Sequence, residues 1–218
     1  MSEPRLPAVP TVESRPADDD NLHQATLQVA GKRLVAYYGR GELEAGAAAL
    51  LETFAANAPE AGSRVSLGWC DLVLVEQGKD LVACEPDFEA EPYFKRVGQV
   101  TTALEVALAQ NEFLKRYELT ADPCGFRDRL LVAGASLSAR RLVMHRHSQA
   151  RGGNSGWYFG PVEAEAINNL EEFAKPMAGR LVTVRPALLA ALTMPEGSMV
   201  LIEDDRLIEV RDPQGQVL

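Results

Sequence analysis

The chain has 218 residues, of which 46% are hydrophobic and 24% are charged, and its formal net charge is −9. This length and composition are typical of a globular protein with one large domain or two small ones. The sequence has no run of about 18 apolar residues, as a membrane span would need. Its acidic charge disfavours nucleic-acid binding, because it repels the phosphate backbone. We therefore expect neither a nucleic-acid nor a membrane partner.

Residues 1–21 form a polar segment rich in Pro and Asp. The segment does not have the order of basic residues followed by apolar residues that marks a secretory signal. It also contains too little apolar surface to repay the entropy of ordering the chain. We predict a disordered leader and a cytoplasmic protein.

The sequence pattern of residues 22–120 predicts an N-terminal α+β lobe. A hairpin is expected over 25–39, with its turn at Gly31-Lys32, and a second over 64–88, with its turn at Gln77-Gly78. Apolar residues at helical spacing predict one helix over 42–58 and a longer one over 97–119. The stripe of the longer helix consists of Val100, Leu104, Ala107, Leu108 and Leu114.

Residues 128–218 predict a second, C-terminal α+β domain. Alternating apolar residues favour strands at 129–135, 141–147, 155–160 and 180–184. Helices are predicted at 163–173 and at 186–192, and a closing hairpin over 195–212 turns at Asp204-Asp205. The expected fold class is α+β, with antiparallel sheets and packed helices in two lobes.

Residues 71–91 carry seven acidic side chains and one Lys. Glu85, Asp87, Glu89 and Glu91 alternate along this run, and alternate residues of an extended segment share one face. Such an acidic row would recognise Arg or Lys side chains of a basic protein partner. A solvated face that only keeps the protein soluble is the alternative.

The nine residues 152–160, GGNSGWYFG, place three aromatic rings beside four glycines. Tyr and Trp are enriched at interface hot spots, so the rings could be partner anchors. Strand alternation instead favours Trp157 and Phe159 on a core side and Tyr158 on the opposite side. We therefore predict that Tyr158 is the ring that binds a partner.

The sequence gives little sign of catalysis. His145 and His147 would share one face of a strand, but no further ligands stand nearby, so a polar strand edge is favoured over a metal site. The three cysteines, Cys70, Cys84 and Cys124, have no CxxC spacing and are expected to be buried and free. The chain has no nucleophile or phosphate-binding motif. We expect no catalytic residue, metal or cofactor.

The C-terminal half resembles a known family. The motif SGWYFG at 155–160, a later Leu-rich helix and the turn Pro195-Glu196-Gly197 together resemble a bacterial immunity-protein domain. It is the domain numbered thirty-three in the polymorphic-toxin systems, and the resemblance covers about residues 141–210. Gly160-Pro161-Val162-Glu163 stands where relatives would carry a Gly-Asp-Glu run. The resemblance implies a cytoplasmic protein that binds and neutralises a cognate toxin.

Three functions follow from the sequence. The first is an immunity protein whose non-catalytic interface neutralises an antibacterial toxin, and a protein without catalytic residues and with an acidic surface is consistent with it. The second is an effector chaperone or adaptor of a secretion system. The third is a hydrolase that uses His145 or His147. The sequence leaves the oligomeric state open.

Overall fold

The computed structural model describes residues 14–15, 21–147, 153–162 and 173–218. The chain divides into two compact units. The first contains Met1–Ser66 and Asp71–Leu104, and the second contains Leu67–Cys70 and Glu105–Leu218. The expected α+β fold with two sheet lobes is confirmed, since each unit combines its own sheet with helices.

The sheet of the first unit contains seven strands within the described residues. Their bounds are β1 Ser14–Arg15, β2 His23–Val29, β3 Lys32–Tyr38, β4 Arg64–Ser66, β5 Asp71–Gln77, β6 Asp80–Pro86 and β7 Arg96–Val97. Both predicted hairpins are confirmed, because β2 pairs with β3 and β5 pairs with β6, in each case antiparallel. The first hairpin turns at Ala30 and Gly31, whose φ angles of 49° and 78° suit a tight two-residue turn.

The predicted purely antiparallel sheets are wrong, because both sheets are mixed. In the first unit β6 runs parallel to β3, and helix α1 (Glu44–Ala55) and strands β4 and β5 lie between them in the chain. This helix buries four apolar residues at helical spacing, Ala47, Leu50, Leu51 and Phe54. In the second unit β10 (Asn154–Pro161) lies between its antiparallel partner β9 (Arg141–Arg146) and the parallel strand β8 (Arg129–Ala133).

Part of the predicted disordered leader lies outside the described residues, namely 1–13 and 16–20. The described part, Ser14–Arg15, forms strand β1, which pairs in parallel with β7. The Arg15 side chain reaches back to the acidic segment at residues 85–91, as described below. A polar segment can be ordered in this way when a buried charge supplies its partner.

The long predicted helix is present as α2, Thr101–Arg116, but its predicted apolar stripe is partly wrong. Leu108 is 42% exposed, whereas Val106, Gln110 and Phe113 are buried. In the second unit the Gln110 side-chain amide donates to the backbone oxygen of Leu189 at 3.0 Å, which satisfies a buried polar group. The helix begins in the first unit and ends in the second, since the division falls after Leu104.

Six strands form the sheet of the second unit, counted over the residues that the structure describes. In chain order they are β8 Arg129–Ala133, β9 Arg141–Arg146, β10 Asn154–Pro161, β11 Phe173–Ala174, β12 Met199–Glu203 and β13 Arg206–Arg211. Their order across the sheet is β11-β8-β10-β9-β12-β13. The predicted closing hairpin is confirmed, with Asp204 and Asp205 at φ 47° and 61° in its turn. The helix predicted at 163–173 falls almost wholly on residues 163–172, which lie outside the described residues.

The predicted strand at 180–184 is wrong, since Leu181–Val184 form a short helix, α3. The helical turn buries Leu181 completely, and the Arg185 N–H donates to the Leu181 oxygen at 2.9 Å. Packing therefore overrides the β propensity of this segment. The next helical segment, predicted at 186–192, is confirmed as a 3-10 helix over Pro186–Thr193 with Pro at its start.

The three cysteines are free and buried, as predicted. No helix among the described residues is long and apolar enough to cross a membrane.

Candidate partner-binding surfaces

The acidic segment, residues 85–91, does not form one exposed row. Strand β6 ends at Pro86, and a turn follows in which the Ala90 N–H donates to the Asp87 backbone oxygen at 3.2 Å. Because the backbone leaves the extended conformation here, alternate residues no longer share a face. Glu85 and Asp87 are each 1% exposed, whereas Glu89 and Glu91 are exposed.

Glu85 lies at the N-terminus of helix α2. Its carboxylate accepts the N–H groups of Ala103 at 2.6 Å and Thr102 at 3.3 Å. The first N–H groups of a helix have no partners within the helix, and the helix dipole favours a negative charge there. The structure thus gives Glu85 a stabilising role and leaves its side chain no surface for a partner.

Asp87 is the buried half of an ion pair with Arg15. The Arg15 Nε lies 2.7 Å from Asp87 Oδ2, and the Asp87 Oδ1 also accepts the Ala90 N–H at 3.2 Å. The hydrogen bond from Arg15 lowers the pKa of Asp87 below its usual value, and burial opposes this effect without cancelling it. Asp87 therefore holds the turn in place and does not face a partner.

Glu89 and Glu91 are the members of the predicted acidic row that a partner can reach. The Glu89 side chain is 88% exposed and lies 3.4 Å from Arg15 Nη2, a contact that solvent weakens. Glu91 uses its backbone oxygen to accept the N–H groups of Phe94 and Lys95. Partner binding by these two carboxylates stays a prediction.

Strand β10 has a core side and an outer side, as its alternation predicts. Trp157 and Phe159 are completely buried, and the Trp157 indole N–H donates to the Leu192 oxygen at 3.0 Å. Tyr158 points to the opposite side and is half-buried. The predicted division of the three rings between core and surface is confirmed.

Tyr158 belongs to a group of four rings on the outer side of the second sheet, the outer ring cluster. The Tyr158 ring lies 6.1 Å from that of His147 and 6.4 Å from that of Phe173, measured between centroids. The rings of His145 and His147 lie 4.1 Å apart, so the predicted shared face is confirmed. In the strand register, His145 stands opposite both Tyr158 on β10 and Met199 on β12. His145 therefore lies on an interior strand and His147 lies just beyond the end of that strand, so the predicted strand edge is wrong for His145.

The glycines around Tyr158 determine where its ring lies. A Cβ atom at Gly160 would come within 2.6 Å of Tyr158 Cζ, so the ring occupies the space that a side chain at position 160 would need. Gly156 has φ 76° at an irregularity in the pairing of β10 with β8. Only glycine adopts this conformation readily, which explains why aromatic rings and glycines stand together in this motif.

In the outer ring cluster, the imidazole of His145 is mostly uncharged at neutral pH. Burial lowers the pKa of His145, and the neighbouring His147 lowers it further. A neutral imidazole beside a tyrosine and a phenylalanine gives a partly apolar surface with polar atoms, a combination common at protein interfaces.

Arg146 lies on the core side of β9, beneath this surface, and is 2% exposed. Its guanidinium donates to the backbone oxygens of Asp122 and Met194, and it lies 3.1 Å from the Asp122 carboxylate. It also lies 5.8 Å from the centroid of the Trp157 ring, within cation–π range. Arg146 thereby joins β9 to the segments around residues 122 and 194.

In the described part of the chain, no three His, Cys, Asp or Glu side chains come together as a metal site would require. One cavity of about 350 Å³ is lined by small residues, among them Gly134, Ser138 and Pro161. A second, of about 180 Å³, lies beside Arg15 and Asp87, which already bind each other, and it is smaller than most ligand pockets.

Sequence reasoning missed Phe94, whose side chain is 75% exposed in the loop that follows the acidic turn. The sequence signal for Phe94 is the pair Tyr93-Phe94 next to a run of carboxylates. Such a pair is unusual here because aromatic residues are scarce in this chain. It also missed Phe173, whose place beside Tyr158 depends on the pairing of β11 with β8. Strand pairing of this kind cannot be inferred from local sequence.

A family model matches part of the chain. The family model of the Imm33-like domain matches residues 109–212, which include the outer ring cluster and Arg146. This span is wider than the 141–210 expected from the motifs, and it ends just after β13. Searches of the curated proteins and of the solved structures found no match to this chain. The resemblance predicted from the sequence is confirmed by this match, which covers residues 109–212.

Proposed function

We propose that this protein is a cytoplasmic immunity protein that binds and neutralises a cognate antibacterial toxin through a non-catalytic interface. The observation that carries the proposal is the match of residues 109–212 to the Imm33-like domain, a family whose name denotes immunity proteins. The described residues add a partly apolar aromatic surface and exposed carboxylates, which suit recognition of a protein.

The outer ring cluster supports Tyr158 as a contact with the toxin. Tyr158 lies on a central strand of the sheet, between the rings of His147 and Phe173, so little conformational entropy remains to be lost on binding. Tyrosine offers a large apolar ring and a hydroxyl group, and it is enriched among residues that dominate binding energy.

Charge supports a toxin with a basic surface. The chain carries a net charge of −9, and Glu89 and Glu91 stand exposed on the first unit. Opposite charges accelerate the encounter of two proteins and disfavour wrong partners. Toxins that act on nucleic acids or nucleotides need cationic clefts, so they are the class that this surface fits best.

Co-expression tests the proposal. The toxic domain encoded beside this gene is expressed in a bacterial host with and without the protein, and the complex is isolated on an affinity tag. Rescue of growth together with a stable complex is the expected result. Failure of the protein to bind and to rescue would overturn the proposal, and binding without rescue would favour an effector chaperone or adaptor.

Two substitutions test whether the toxin contacts the outer ring cluster. Tyr158→Ala removes the ring, and Gly160→Ala displaces it, so both are expected to weaken toxin binding by at least about tenfold. Leu207→Ala is the matched control, since Leu207 is an exposed apolar residue of the same sheet. Melting curves show whether each variant is folded. Unchanged affinity of a folded Tyr158→Ala variant would remove Tyr158 from the interface.

A further inference from the structure

The loop from Phe88 to Lys95 of the first unit presents an aromatic side chain to solvent. Phe88, at its start, is buried, whereas Phe94 is 75% exposed, the highest exposure of any large apolar side chain among the described residues. Single exposed apolar residues are common on protein surfaces and need no explanation by themselves. A binding role for Phe94 therefore requires support from the structure of the loop and from the charges around the ring.

The loop is held at both ends by hydrogen bonds. The Asp87 N–H donates to the Lys95 oxygen at 3.1 Å, which closes the base of the loop. The N–H groups of Phe94 and Lys95 both donate to the Glu91 oxygen, at 3.1 and 2.9 Å. The backbone on either side of Phe94 is therefore fixed before any partner binds, and this lowers the entropic cost of using Phe94 as a contact.

The buried ion pair fixes the loop from beneath. Asp87 binds Arg15 through one carboxylate oxygen and the Ala90 N–H through the other, so the first turn of the loop is tied to strand β1. The Asp87 side chain is only 2% exposed, and a buried charge is retained where its partners are well placed. A fixed turn of this kind positions an exposed side chain in one direction.

Carboxylates stand near the exposed ring. Glu89 and Glu91 are both exposed, and Glu91 lies three residues before Phe94, linked to it by the backbone hydrogen bond. An apolar ring beside two exposed carboxylates is complementary to an apolar pocket whose rim carries Lys or Arg. A nucleic acid or an anionic membrane would be repelled by the same carboxylates.

We propose that Phe94 is an anchor that enters an apolar pocket of the toxin, with Glu89 and Glu91 facing basic residues on the rim of that pocket. This inference rests on the proposed function and names the surface that the N-terminal unit contributes. Phe94 lies outside residues 109–212, so the part of the chain that is not Imm33-like carries a share of the specificity for the toxin.

The test measures affinity for a catalytically inactive form of the toxic domain encoded beside this gene. Phe94→Ala is expected to raise the Kd at least about thirtyfold, as truncation of an interface anchor does, while Phe94→Tyr retains most of the affinity. Ile208→Ala is the matched control, because Ile208 is 53% exposed and lies in the second unit. Since Phe94 is exposed, its removal is not expected to lower the melting temperature.

The outcomes separate this inference from the proposed function. If the unaltered protein binds the toxin and Phe94→Ala binds it equally well, Phe94 is not an anchor. The proposed immunity function is unaffected by that result. If the unaltered protein does not bind, the proposed function fails and the anchor fails with it. The combined variant Glu89→Gln, Glu91→Gln is expected to slow association and leave dissociation nearly unchanged, and an unchanged association rate would remove the carboxylates from the rim.

Discussion

Two carboxylates of the acidic segment, Glu85 and Asp87, are withdrawn from solvent and satisfied by different donors. Glu85 accepts the first N–H groups of helix α2, and Asp87 accepts Arg15 and the Ala90 N–H. A buried charge is costly unless it is paired, so these contacts explain why the fold tolerates both residues. The predicted acidic row overlooked this, because strand alternation carries no information about a turn that begins at residue 87.

The Asp87–Arg15 pair makes stability depend on pH. The pKa of Asp87 is lowered in the folded protein, from about 3.9 in an unfolded chain, so its stabilising effect is present above about pH 4. That effect is lost as the pH falls below 4 and through the lowered pKa. Asp87→Asn keeps an acceptor for the Ala90 N–H but loses the charge, and we expect it to cost about 1 kcal/mol at pH 7, since Arg15 is one-third exposed.

Urea unfolding of both proteins between pH 2.5 and 7 measures this dependence. The difference in unfolding free energy is expected to shrink below pH 4, and Glu89→Gln serves as the exposed control. A difference that stays constant down to pH 2.5 would contradict the role given to the ion pair.

At the scale of elements, β9 shows how one strand serves both the core and the surface. His145 faces the outer side with Tyr158, whereas Arg146 turns into the core beneath Trp157. A buried arginine of this kind replaces an apolar contact by several hydrogen bonds to backbone oxygens. The second unit therefore depends on a charged residue at a position where alternation alone predicts an apolar one.

Arg146→Lys is expected to lower the unfolding free energy by about 2 to 3 kcal/mol. Lysine keeps the charge but cannot reproduce the planar set of donors that reaches Asp122 and Met194, so buried backbone oxygens lose their partners. Urea denaturation followed by far-UV circular dichroism gives the value. Arg140→Lys is the control, since the Arg140 side chain is 70% exposed. A similar small loss of unfolding free energy in both variants would show that the hydrogen bonds of Arg146 contribute little to stability.

The elements that the sequence predicts correctly have strong local signals. The hairpins carry turn residues suited to positive φ, as at Asp204-Asp205, and helix α1 has a clear apolar stripe. The incorrect predictions concern segments whose structure is determined by tertiary packing. Leu108 resembles a core residue by spacing but is exposed, and Leu181–Val184 is β-prone but forms a helical turn because that buries Leu181.

At the scale of the whole molecule, the two units differ in how much of their structure and function can be predicted from the sequence. The resemblance of the second unit could be predicted from SGWYFG and the later Pro-Glu-Gly turn, and the Imm33-like family model matches residues 109–212. The first unit has no such motif, so the placement of Glu89, Glu91 and Phe94 required three-dimensional structure. The mixed order of the sheets is also a long-range property that alternation cannot predict.

The net charge of −9 predicts a strong salt dependence of toxin association. Between about 0.05 and 0.5 M NaCl, screening is expected to reduce the association rate with a basic toxin at least about tenfold, while the dissociation rate changes little. Stopped-flow or biosensor kinetics measure both rates. An association rate independent of salt would indicate a partner that is not basic and would leave the acidic surface without a role in binding.

Along strand β10, residues that the core constrains alternate with a residue that the core leaves free to vary. Trp157 and Phe159 are fixed by the core, while Tyr158 between them faces outward, and Gly160 leaves room for its ring. A lineage that must follow a changing toxin could therefore vary position 158, and the outward positions of the neighbouring strands, while the fold stays intact. Libraries that randomise only those outward positions should yield mostly folded proteins with altered toxin preference.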